Sequence, residues 1–152
     1  MMKPFFFWIS TKRVTQLLFV LYLLFVFGNV ALAEDIKIVA NSDIPENSLT
    51  SDEIKKIYLG QKKTWSNNRK IGFVVLSGDY DLHKFFLKKY VGKSPTQFKN
   101  YWRQMLFTGK GTEPKHFKTG EELINYVKNN AGYIGYVSSS VNTDGINVIP
   151  IK

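Results

Sequence analysis

Apolar positions follow two rhythms along this chain. Residues 36–40 (IKIVA), 71–76 (IGFVVL), 133–137 (YIGYV) and 146–149 (INVI) are short, mostly apolar runs with the length and β-branched content of strands. The 71–76 run is nearly continuous, as expected of a strand buried on both faces of a sheet. Between these runs the apolar residues recur at helical spacing. Thr50-Ser51-Asp52-Glu53 reads as a capping box ahead of Ile54, Ile57 and Tyr58, with Gly60 as the stop. Ser77-Gly78-Asp79 turns the chain into a second helix with Leu82, Phe85, Phe86 and Tyr90 facing inward. Ser94-Pro95-Thr96-Gln97 opens a third, carrying Phe98, Tyr101, Trp102, Met105 and Leu106. A glycine-containing loop at 108–114 ends it. Thr119-Gly120-Glu121-Glu122 then caps a fourth helix with Leu123, Ile124 and Val127 inward.

Strands that alternate with helices predict an α/β layer structure, a mixed and mostly parallel sheet flanked by helices. No internal repeat, low-complexity tract or second domain interrupts it.

The first 33 residues have another character. Lys3, Lys12 and Arg13 supply positive charge, residues 17–27 are apolar without interruption, and Ala31-Leu32-Ala33 forms a small-residue cleavage pattern. These are the three parts of a secretory signal peptide. Crossing a bilayer as a helix takes about 20 apolar residues, more than this run provides, which favours cleavage over a retained anchor. A second apolar cluster, Phe5-Phe6-Phe7-Trp8-Ile9, is unusual for such a leader. The expected organisation is therefore a signal peptide over residues 1–33 and one domain over 34–152, with a periplasmic location.

Removing the leader lowers the charge. Residues 34–152 hold 18 basic and 12 acidic residues, a net charge of +6 in place of +9. An excess of that size favours anionic partners, although the lysines are interleaved with aromatic and acidic residues and also suit a plain solvated face. Nucleic acid is disfavoured as a partner by the export signal. The chain has no cysteine, which removes disulfide staples, Cys-based zinc sites and a lipidated N-terminal cysteine. Its two histidines, His83 and His116, lie in different segments. Neither a His-rich metal site nor a Ser-His-Asp triad is indicated, and no cofactor or enzyme activity is expected.

The strand-to-helix junction Ser77, Gly78, Asp79 is the candidate ligand site. A glycine there lets backbone approach a ligand, and the unpaired first amides of a helix favour an anion. Asp79 repels a dianion but accepts the proton of a monoprotonated oxyanion. The competing reading makes Ser77 or Asp79 an ordinary N-cap. The 108–114 loop lacks the spacing of a P-loop and follows no strand, so it reads as a helix-ending turn. Trp65, Tyr101 and Trp102 read as core or core edge, and Glu121-Glu122 as carboxylates placed on a helix dipole.

Several of these features recur in one order in a known family. Residues 49–65 (LTSDEIKKIYLGQKKTW), Ser77-Gly78 ahead of Phe85-Phe86, Trp102 with Gly109-Lys110-Gly111, and residues 131–137 (AGYIGYV) resemble the phosphate-binding proteins of ABC importers. That resemblance implies a type 2 periplasmic binding protein fold and a small oxyanion such as phosphate as ligand. It also implies a membrane permease, or another periplasmic protein, as partner. Two positions depart from the pattern: Asp79 stands where the family has Thr, and Phe73 where it has an anion-clamping Arg. The 119 residues of 34–152 match about one lobe of a two-lobed receptor. Only Ser77 and Gly78 carry over unchanged as ligand contacts. The alternative is a ligand-free, single-lobe interaction module.

Overall fold

The capping boxes read from the sequence set where the helices begin. The computed structural model describes residues 35–76 and 81–152. In order they form β1 (Ile36–Ala40), α1 (Ser51–Tyr58), β2 (Gly72–Leu76), α2 (Asp81–Phe86), a π-helical turn (Leu87–Val91), α3 (Pro95–Phe107), β3 (Lys115–Phe117), α4 (Gly120–Asn129), β4 (Tyr133–Ser138) and β5 (Asn147–Ile149). Thr50 and Ser94 accept from the N3 amides of Glu53 and Gln97, whose side chains return to the cap amides. Thr119 accepts from the Glu122 amide, but the Glu122 carboxylate turns to the Lys118 amide at 3.3 Å.

The strands make one mixed sheet in the order β3-β2-β4-β1-β5. Its centre is parallel: β2 lies between β3 and β4, with Leu76 level with Phe117 and Phe73 level with Ile134. Its other half is antiparallel, β1 pairing with β4 and β5. The parallel half joins the strands linked through helices. No helical crossover joins β1 directly to β4, so its direction depends on where the chain re-enters the sheet.

Helices cover both faces. Phe73 and Tyr136 face α1, α2 and α3: Tyr58 of α1 lies 4.9 Å from the Phe73 ring, and Phe86 stacks on Tyr136 at 3.7 Å between centroids. Gly135 points the other way, where a Cβ would come within 2.5 Å of Leu123 of α4. Val74, Val75 and Leu76 are all buried, as expected of a strand covered on both faces.

Three details depart from the sequence pattern. In α2 and the turn after it, His83, Leu87 and Val91 are buried while Phe85 and Tyr90 are only half-buried. Leu82 and Phe86 are buried as expected, but from Leu87 on the wider π-helical turn breaks the 3.6-residue period, so spacing does not carry the apolar face on to Leu87 and Val91. Leu106, one of the apolar positions at helical spacing in the third helix, is 50% exposed. The short strand β3 carries no apolar run and escaped the sequence pattern altogether.

Candidate functional site

A cleft of about 610 Å³ lies beside β3, level with the end of β2. His83 reaches it from the first turn of α2, Thr96, Asn100 and Arg103 from α3, and His116 from β3. The two histidines, far apart in sequence, thus line one cavity. Lys99 also lines it, and neither Lys99 nor Arg103 makes an ion pair among the described residues. Among the described residues one carboxylate lines it: Glu113 stands 4.0 Å from His116 Nε2.

His83 is the most constrained member. It is 2% exposed, and its Nδ1 is hydrogen-bonded to the Tyr136 hydroxyl. That hydroxyl also accepts the Leu76 amide at 3.4 Å. Burial holds the Tyr136 phenol far above its ordinary range, so its O–H persists, and Nδ1 is the acceptor within reach. Burial, with His116 second, lowers the His83 imidazole to about 4. A neutral ring that accepts at Nδ1 carries its proton on Nε2. No hydrogen bond among the described residues engages Nε2. The Thr96 amide, in the first turn of α3, is likewise unbonded, as the geometry of a helix start requires. The cavity therefore offers neutral N–H donors and basic side chains together, a donor set suited to an oxyanion.

Ser77, Gly78 and Asp79, the junction read from the sequence as the ligand site, lie outside the described residues. The chain leaves β2 at Leu76, whose amide is bonded to Tyr136 Oη. Phe73, where the resemblance implied an Arg, is half-buried and packs against the core, 5.3 Å from the Trp102 ring. Trp65 and Trp102 are buried as expected. The 108–114 loop is a turn that ends α3, with the Lys110 amide donating to the Met105 carbonyl at 2.9 Å. Sequence reading missed Arg103, Lys99 and Thr96. They share one side of α3, but that helix was read for its apolar positions alone.

No family model and no curated protein matches this sequence. Solved structures do resemble its fold. A putative phosphate ABC transporter substrate-binding protein with bound phosphate from Clostridium perfringens matches with a TM-score of 0.62 at 18% identity, over 76% of this chain and 44% of that one. This chain has the fold of one lobe of a type 2 periplasmic binding protein. PstS from Borrelia burgdorferi matches at a TM-score of 0.60 and 17% identity, covering 77% and 47% of the two chains. A phosphate-binding protein from Stenotrophomonas maltophilia is 23% identical at a TM-score of 0.54, over 78% and 39%. The chain spans less than half the length of these binding proteins, so the similarity is that of a single binding-protein-like lobe. Among the described residues no group of His, Asp and Glu is placed to hold a metal ion, and no helix is long and apolar enough to cross a membrane.

Proposed function

We propose that this chain is an exported, periplasmic oxyanion-binding module of the substrate-binding-protein type, with phosphate as its first candidate ligand. The observation that carries this reading is the His83–Arg103 cleft. It joins an Nε2–H donor fixed by Tyr136 to two basic side chains that have no carboxylate partner among the described residues. Open α/β sheets take their ligands near the carboxyl ends of parallel strands, and the cleft stands level with the end of β2. The phosphate-binding proteins that share the fold add support at the level of architecture. A single lobe leaves a ligand open on one side, so affinity is modest unless another chain closes the cleft, such as a permease or a second periplasmic protein.

Calorimetric titration of the purified protein with phosphate and sulfate tests the proposal. Binding that disappears in Arg103→Gln, with the circular dichroism unchanged, is expected. Absence of heat at millimolar ligand overturns it. A second reading, a protein-interaction module that has lost its ligand, draws on the 83% exposure of Phe107 at the end of α3. Clear oxyanion binding together with an empty pull-down from periplasm sinks that alternative.

A further inference from the structure

At the amino-terminal end of β2 lies a second cleft, of about 520 Å³. Its floor is apolar: Phe73 and the half-exposed Leu106 lie beside Ile57, Ile71 and the buried Trp102. Its rim carries Lys62, Lys63, Lys70 and Lys110, and no acidic side chain among the described residues lines it. The fold brings these lysines together from separate segments. The Ile71 amide donates to the Lys63 carbonyl at 2.9 Å and the Trp65 amide to the Arg69 carbonyl at 2.8 Å, which closes a tight hairpin and sets Lys63 beside Lys70. The Trp65 indole anchors that hairpin by donating to the Gly132 carbonyl at 2.9 Å. Lys110 arrives from the loop that ends α3.

Lys62 is held by Glu53 at 2.8 Å, whereas Lys63, Lys70 and Lys110 make no ion pair among the described residues. The Gly111 and Thr112 amides are also unbonded there. Three unpaired ammonium groups and two open N–H donors around an apolar floor match one ligand chemistry: a charged head joined to a flat apolar body. A bare inorganic anion leaves the floor unused, and a neutral aromatic leaves the lysines unused.

We infer that this lysine-rimmed cleft binds an amphipathic organic anion, such as a phosphate or sulfate monoester of an aromatic group. The site is separate from the His83–Arg103 cleft and stands or falls independently of it.

Amide chemical shifts recorded during titration with 2-naphthyl phosphate, 2-naphthol and inorganic phosphate test this inference. Only 2-naphthyl phosphate is expected to move the Gly109, Lys110, Gly111 and Thr112 amides strongly. The Lys63→Gln/Lys110→Gln double variant, altered at exposed positions, is expected to weaken that response roughly tenfold, as loss of two charge-assisted contacts implies. Arg103→Gln is expected to leave it unchanged, which separates failure here from failure of the first site. Equal shifts with inorganic phosphate or with naphthol overturn the inference, as does an unaltered response in the double variant. A response of these amides to phosphatidylglycerol vesicles alone also overturns it and makes the patch a membrane-facing surface.

Discussion

The imidazole of His83 and the phenol of Tyr136 lie nearly parallel, 6° between planes, and share a buried hydrogen bond at Nδ1. The contact joins α2 to β4 and fixes the tautomer of a histidine that lines the cleft. Burial of the ring, with His116 second, has a cost in acid. The folded imidazole titrates at about 4, below the ordinary 6.5. Between those values the unfolded chain binds a proton that the folded chain does not, so stability is greatest above pH 6.5 and falls as pH drops towards 4, where the loss levels off. The loss from this group amounts to roughly 3 kcal/mol. Urea denaturation at pH 7.5 and pH 5 is expected to read about 2 kcal/mol of it. His83→Gln keeps an acceptor for Tyr136 without the titration, and its stability is expected to vary less between the two conditions.

Gly60 and Gly111 press on the Trp102 indole from two sides. A Cβ at either position would come within 2.8 Å of the ring, and Gly60 also has φ +66°. Trp102 cannot yield easily, because its indole N–H donates to the Tyr58 carbonyl at 3.1 Å. Gly60→Ala and Gly111→Ala are each expected to cost about 1–3 kcal/mol by overpacking, with Gly60→Ala the worse for its left-handed backbone. Thermal denaturation checks the order.

The helix caps give a milder and more uniform prediction. Thr50→Ala and Ser94→Ala each remove a side chain that accepts an N3 amide at 3.2 Å, and each is expected to cost about 1 kcal/mol. Thr50→Ala also deprives Glu53 of a partner while leaving it on Lys62 at 2.8 Å. Chemical denaturation of the two variants is expected to give similar losses.

Asn41 ties β1 to the end of α4. Its side-chain amide donates to the Val127 and Lys128 carbonyls at 2.9 and 3.0 Å, in the last turn of the helix, where Val127 also accepts the Asn130 amide at 3.4 Å. Asn41→Leu is expected to cost about 1–3 kcal/mol because the Val127 bond is buried. Faster hydrogen exchange of amides in the last turn of α4 is the accompanying sign.

The local architecture was legible before any fold was known. Capping boxes at Thr50 and Ser94, the stop at Gly60 and the apolar run of β2 depend on neighbours within a few residues, so residue order alone specifies them. The α/β class followed from their alternation. Two kinds of feature were not legible. Burial after Phe86 follows the π-helical turn, where Leu87 and Val91 enter the core at a register that 3.6-residue spacing does not give. The direction of β1 follows from the path of the chain, which β1 itself does not encode.

The candidate sites divide the same way. Sequence could nominate Ser77, Gly78 and Asp79, because a strand-to-helix junction is a contiguous signal. It could not assemble His83, Arg103 and His116, or Lys63, Lys70 and Lys110, because each set comes from segments that meet only when the sheet and α3 close on one another. Sequence by itself determined the helix ends, the buried strand, the class of fold and the basic charge, all of them local or additive properties. Tertiary structure alone decided which basic side chains stand together and which histidine nitrogen Tyr136 engages, since both depend on long-range packing.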